Sequence, residues 1–151
     1  MQFDIRPYDE ADEAAVVALW SEVFAYTAPH NQPLNLVRQK RAYEQALFFV
    51  ALDDRRLVGT VMGGYDGHRG WIYSLAVSLA ARGQGIGAQL MRRVEQQLAE
   101  KGCQKINLQV LAANSVTVDF YRKLGYAVEE RVSMGKLLVP PPPEPRDASR
   151  P

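Results

Sequence analysis

The heptapeptide Arg82-Gly83-Gln84-Gly85-Ile86-Gly87-Ala88 sets three glycines at alternate positions between an apolar run, "SLAVSLAA", and an amphipathic one, "QLMRRVEQQL". A glycine-rich turn that ends a strand and opens a helix leaves several backbone N–H groups without intrahelical partners, and the helix dipole adds partial positive charge there. That combination binds phosphate. Glycine serves it twice: it tolerates φ > 0 in a tight turn, and it has no Cβ to keep phosphate oxygens off the backbone. Arg82 adds a full charge beside the turn. A second grouping lies in "NSVTVDFYRKLGY", where Asn114 and Tyr121 are seven residues apart. In a helix that spacing is two turns, so both lie on one face, about 10 Å apart along the axis. An extended ligand can touch both, and a phenol can donate a proton to a departing group. Each also has a plainer role, since Asn is a favoured N-cap and Tyr121 can simply pack beside Phe120.

Two common phosphate-binding patterns fail on the turn. Gly83, Gly85 and Ala88 formally match G-x-G-x-x-G/A, but a dinucleotide site needs an acidic residue at the end of the next strand to hold the ribose. Here that strand ends "NLQVLAAN", without an acid. The Walker pattern fails because no Lys-Ser or Lys-Thr follows the glycines.

The elements that must position these groups alternate along the chain. "QFDIRPY" reads as a strand, and "DEADEAAVVALWSEVF" as a helix opened by Asp9 or Asp12, with Val16, Leu19, Trp20 and Val23 on one face. A turn-rich stretch, "TAPHNQPLN", leads to a second helix over about 36–46. "LFFVAL" and "RLVGTVMGGY" flank "DDR" as a hairpin, and "DGHRG" turns into the strand "WIYSLAV". The amphipathic helix after the glycines stops at Gly102; "KINLQVL" is a short strand, and "NSVTVDFYRKL" a helix stopped by Gly125. "YAVEERVSMGKLL" reads as a final strand pair, and residues 139–151, "VPPPPEPRDASRP", as a disordered tail. At 151 residues and 47% hydrophobic, the chain can bury one sizeable core but not two comfortable domains. Its 18 basic and 17 acidic side chains set up no global field, so neither nucleic acid nor a membrane surface is an expected partner. A single cysteine, Cys103, excludes an internal disulfide framework and a CxxC metal pair. The first residues lack a basic and then apolar leader, and no apolar run approaches a membrane span, so a cytoplasmic location is expected.

Parsed as Arg82-x-x-Gly85-x-Gly87 directly after "SLAVS", the turn resembles the Q/R-x-x-G-x-G/A signature of the GNAT family, the Gcn5-related N-acetyltransferases. "NSVTVDFYRKLGY" resembles the family's second signature, N-x-x-A-x-x-F-Y-x-K-x-G-F, with Thr117 in place of alanine and Tyr126 in place of the final Phe. The likeness covers about residues 3–138, which implies one N-acetyltransferase domain over 1–138. "GTVMGGYDGHRG" and "VSMGKLL" look like the small bacterial YpeA-type enzymes. The resemblance implies an α/β fold: a mixed, mainly antiparallel sheet, a central parallel pair splayed to admit acetyl-CoA, and helices on both sides. It implies that residues 82–88 (Arg82, Gly83, Gln84, Gly85, Ile86, Gly87 and Ala88) hold the pyrophosphate. Leu75, Ala76 and Val77 would offer backbone N–H groups to the pantetheine and acetyl carbonyl, unless ordinary ladder pairing consumes them. Asn114 would contact the co-substrate, and Tyr121 would be the general acid. The implied reaction is direct transfer of acetyl from acetyl-CoA to a primary amine in a ternary complex, without metal. The acceptor would be a small molecule or a peptide or protein N-terminus, and a homodimer is compatible with the family. The alternative is a CoA-binding regulatory or scaffold module without turnover.

The general base has no obvious carrier. No Glu or Asp falls on residues 71–77 or 105–111. Glu22, Asp66 and His68 are candidates, as is a water relay ordered by Tyr73 and Ser74. Against them, Glu22 suits a solvated helix face, Asp66 with Gly67 suits a turn, and His30 and His68 suit loops. Neutralising a Lys amine near pH 7.5 spans roughly 3 pKa units, or about 4 kcal/mol, against far less for an α-amine near 8. A weak base therefore favours α-amines. Tyr26, His30 and Asn31 are the loop residues suited to a small acceptor.

Overall fold

The apolar alternation of residues 48–65 folds as a hairpin: β2 (Phe48–Asp53) and β3 (Arg56–Tyr65) run antiparallel. Asp54 takes the left-handed turn between them at φ 58°, a region that Asp tolerates better than most residues. β1 (Asp4–Pro7) pairs with β2, and β4 (Gly70–Val77) with β3, both antiparallel, while β5 (Ile106–Asn107) lies parallel to β4. Strand order follows chain order, β1-β2-β3-β4-β5. The computed structural model describes residues 3–24, 29–44 and 46–139, which divide after Ser115 into two compact units.

In the first unit, helices cover both faces of the sheet. α1 (Glu13–Val23) and α2 (Pro33–Tyr43) bury Val16, Leu19, Trp20 and Val37 against Phe48, Val50, Met62 and Ala76 on one face. α3 (Ile86–Glu100) lies on the other, with Leu90, Met91, Val94 and Leu98 buried at helical spacing. Its approach depends on small residues in β3. A Cβ at Gly59 would come within 2.9 Å of Leu90 Cδ1, and one at Gly63 within 2.7 Å of Val94 Cγ2. The start of α1 is pinned electrostatically. Arg6 donates to both carboxylate oxygens of Asp12 (2.7 and 2.9 Å), which also accepts the Asp9 N–H at 2.9 Å. The Arg6 hydrogen bond holds the Asp12 carboxyl below its ordinary range.

Three expectations need correction. The second helix spans Pro33–Tyr43 rather than 36–46, because proline is preorganised for the first helical position. The strand expected from "KINLQVL" is only Ile106–Asn107; its apolar composition suits a strand, but its parallel ladder to β4 ends at Trp71 and Asn107 among the described residues. In the second unit, α4 (Ser115–Lys123) forms and Gly125 follows it at φ 96°, yet residues 126–139 contain no strand. The Arg131 N–H bonds to the Glu129 carbonyl at 3.0 Å, a γ-turn-type contact that interrupts an extended chain. Val128, Val132, Met134 and Leu138 are exposed there. Tyr26 and the tail beyond residue 139 lie outside the described residues.

Candidate active site

Between β4 and α3 the chain makes one 3-10 turn, Leu79–Ala81, and then the glycine segment. Gly83 and Gly85 are both left-handed, at φ 81° and 82°. Gly85 is the N-cap of α3 and has no side chain to satisfy the helix end. The first helical bond runs from the Gln89 N–H to the Gly85 carbonyl, 3.1 Å, so the N–H groups of Ile86, Gly87 and Ala88 precede the helical ladder. A Cβ on Gly83 or Gly85 would meet nothing within 4 Å. The segment is therefore exposed at Arg82, Gly83, Gln84 and Gly85 and anchored by buried Ile86 and Gly87, which is the form an anion site at a helix N-terminus requires. Ala88 is half-buried. The Arg82 Nε donates to the Val77 carbonyl at 3.3 Å, which keeps the cation beside the turn.

The strand leading into this turn is bulged. Thr60 pairs with Ala76 and Met62 with Tyr73, so Val61 of β3 faces two residues of β4, Ser74 and Leu75. Ser74 has φ 49°, a left-handed conformation that costs a non-glycine residue about 1–2 kcal/mol. The bulge inverts the strand's hydrogen-bond parity. Before it, the Gly70 N–H donates to Lys105 on the β5 side; beyond it, the Ser78 N–H donates to Val58 on the β3 side. Alternation then turns the backbone of Leu75 and Val77 away from β3, and the Val77 carbonyl is the one Arg82 reaches. The ladder to β5 ends at Trp71 and Asn107 among the described residues. Among the described residues no strand therefore pairs with β4 on that side over residues 75–77, where the expected splay was placed.

Sequence reading missed what holds the bulge. The buried Trp20 Nε1 donates to the Thr60 hydroxyl (2.8 Å), which donates to the Ser74 carbonyl (3.0 Å). A single Thr inside the apolar run "LVGTVM" was the available signal. Lys40 was missed as well. Its ammonium, drawn below its usual pKa by burial, donates to the Gly63 carbonyl.

The candidate bases do not converge. Glu22 accepts the Leu79 N–H at 3.0 Å, capping the 3-10 turn rather than occupying a purely solvated face. The Asp66 carboxylate accepts the His68 and Arg69 N–H groups, each 2.7 Å, and these bonds hold it below its ordinary range. Asp66 is thus a turn residue and a weaker base, and His68 belongs to the same turn. Tyr73 is half exposed, and burial raises its phenol, with the charges of Asp66 and Glu44 adding to the shift. A raised phenol is no base near neutrality. Glu22 is engaged at Leu79, whereas the charges of Asp66 and Glu44 act on Tyr73. His30 is exposed in the short turn Pro29–Asn31, with Asn31 beside it. Cys103 is only partly buried, its thiol directed at the Lys105 carbonyl at 3.3 Å. Among the described residues no group of three or more His, Cys, Asp or Glu is arranged to hold a metal ion, and no helix is long and apolar enough to cross a membrane.

Asn114 stands immediately before α4, its N–H bonded to the Leu111 carbonyl at 2.8 Å. In the second unit Tyr121 is buried on α4, edge-on to Phe120 and Tyr126, with ring centroids 5.1 and 5.6 Å away. Burial pushes its phenol up to about 12, above the ordinary tyrosine value near 10. Tyr126, the departure from the second signature, therefore supplies an aromatic contact as the usual Phe would.

The model of the Acetyltransferase (GNAT) family matches residues 14–126. The chain belongs to the GNAT family. It is an acetyl-CoA-dependent N-acetyltransferase, and the reading as a binding module without turnover gains no support. Similar solved structures include a transcriptional regulator from Bacillus halodurans, 25% identical over 89% of this chain and 100% of that one, at a TM-score of 0.72. The PaiA N-acetyltransferase of Thermoplasma acidophilum in complex with coenzyme A is 21% identical over 87% and 94% of the two chains, at 0.74. An aminoglycoside 6'-N-acetyltransferase of Acinetobacter haemolyticus is 19% identical over 91% and 99%, at 0.75. The GNAT fold of this chain is thus the mixed sheet with one parallel pair and helices around it.

Proposed function

We propose that this GNAT enzyme transfers acetyl directly, in a ternary complex, to a small α-amino compound or a peptide N-terminus. The observation that carries the reading is the open edge of β4 at residues 75–77, leading straight into a helix N-terminus with no side-chain cap. Residues 82–88 receive the pyrophosphate. Leu75, Ala76 and Val77 run along the pantetheine and thioester, where an N–H can stabilise the oxyanion formed as the amine adds. Asn114 contacts the co-substrate, and Tyr121 donates to the departing sulfur. With its phenol near 12 and a thiol near 8.5, complete proton transfer would be uphill by about 3.5 units, roughly 5 kcal/mol. Tyr121 therefore acts by hydrogen bonding to the developing thiolate more than by releasing its proton.

The acceptor class is supported by how the candidate carboxylates are engaged. Asp66 is lowered by its turn and Glu22 caps another, so an amine that is partly neutral near pH 7.5 is favoured over a lysine side chain. The same reading takes residues 1–138 as the catalytic domain, in the cytoplasm, with a YpeA-type likeness, and is compatible with a homodimer. Two of the structural relatives involve different amines by name: one is an aminoglycoside 6'-N-acetyltransferase, and another is the NatC complex bound to a Gag peptide and CoA. An amine panel followed by CoA release distinguishes the classes here. Small α-amino compounds or peptide N-termini should exceed polyamines and internal lysines in kcat/KM. A tenfold preference for spermidine or a lysine side chain would overturn the acceptor assignment.

A further inference from the structure

We propose that Thr60 is a positioning residue for acetyl transfer, acting with Trp20 to lock the β4 bulge in the one register that frees the Leu75 and Val77 N–H groups. The inference rests on the assignment of the acetyl arm to residues 75–77.

The geometry assigns every proton in the lock. The Thr60 hydroxyl has one hydrogen, and the Ser74 carbonyl at 3.0 Å can only accept it; the Trp20 Nε1–H at 2.8 Å can only donate to the same oxygen. Thr60 and Trp20 are both fully buried, so water cannot replace the Thr60 hydroxyl as the partner of the indole N–H, while the bond to the Ser74 carbonyl is part-buried. The carbonyl held in this way belongs to Ser74, the residue that adopts the left-handed φ of 49°. Without a bulge the alternation of β4 would continue unbroken from Gly70, whose N–H faces β5. Leu75 and Val77 would then present their N–H groups to β3, out of reach of any ligand. The hydroxyl thus controls which way the backbone faces without touching the co-substrate.

The test combines Thr60→Val with Thr60→Ser. Thr60→Val keeps the shape but removes the hydroxyl, whereas Thr60→Ser restores it. With a good amine acceptor, Thr60→Val should lower kcat by at least about tenfold. KM for acetyl-CoA should stay within about threefold, because the glycine turn is untouched. Thr60→Ser should return kcat to within about threefold of wild type. Adding Ser74→Gly to Thr60→Val should recover part of the loss, since glycine holds φ > 0 without help. A role in stability alone would lower Tm and leave kcat unchanged at temperatures where the variant is folded; that result overturns the inference. Should Thr60→Val fail to fold, Thr60→Cys, which retains volume and only a weak donor, is judged by the same criterion. Amide chemical shifts separate the two assignments. Wild-type Leu75 and Val77 amides that do not respond to acetyl-CoA overturn the assignment of the acetyl arm. Amides that respond equally in wild type and Thr60→Val, with equal kcat, overturn only the role of Thr60.

Discussion

Gly85→Val and Gly102→Val form a matched pair that isolates the anion site. The two glycines bracket α3, at its N-terminus and beyond its C-terminus, with φ of 82° and 91°. In both places an added Cβ would meet nothing within 4 Å. Their effect on the folded protein is therefore conformational rather than steric, at least about 1–2 kcal/mol each for a side chain forced into the left-handed region. For a domain of this size that corresponds to a fall in Tm of roughly 2–8 °C. Their effect on acetyl-CoA should differ. At Gly85 the side chain enters the open space in front of the Ile86, Gly87 and Ala88 N–H groups, or the turn abandons the geometry that aims them; at Gly102 it lies at the negative end of the dipole. Calorimetric titration of the folded variants should show Gly85→Val weakened by at least about tenfold, or about 1.4 kcal/mol, and Gly102→Val unchanged. Equal affinities for the two variants, whether both retained or both lost, would refute the placement of the pyrophosphate at this helix end.

Tyr121→Phe should leave acetyl-CoA affinity nearly intact and lower kcat by about 10²-fold under conditions where chemistry limits the rate. Because the phenol keeps its proton to about pH 12, the wild-type kcat profile should show no Tyr121-dependent falling limb below about pH 10; a limb near pH 9 that disappears in Tyr121→Phe would contradict this. Asp12→Ala, which removes the paired bonds to Arg6 and the cap on Asp9, should cost about 1–3 kcal/mol by urea titration. Asp12 has a lowered pKa in the folded state, so its contribution is full above the unfolded value near 3.9 and is lost as pH falls through the folded value. Asp12→Asn should therefore flatten the acid limb of stability below about pH 4, and an unchanged limb would remove Asp12 from it.

The glycine turn was legible in the sequence because its chemistry is local: left-handed glycines, a strand before them and an amphipathic helix after them are all contiguous. Trp20 and Leu19 were legible as core from periodicity alone. The bulge was not, since a count of two residues against one exists only once β3 and β4 are paired, and the bonds that hold it join residues 20, 60 and 74. The length of β5 was illegible for a related reason. Apolar alternation in "KINLQVL" gives strand propensity, but a parallel ladder continues only as far as its partner remains alongside. The role of Glu22 was hidden by distance, because the group it caps lies 57 residues away.

Two adjacent residues of β3 face opposite ways and govern opposite halves of the site. Gly59 receives Leu90 and Ile86 of α3, the helix whose start is the proposed pyrophosphate site, and Thr60 holds the bulge at the proposed thioester site. The strand that carries them is buried from Val58 to Met62. On the proposed placement of the co-substrate it would work as a length gauge, setting the span between the two ends from inside the core, at a single peptide bond. Segments on the acceptor side can then diverge freely in length and composition across descendants of such a protein, because none of them has to preserve the measure of the donor.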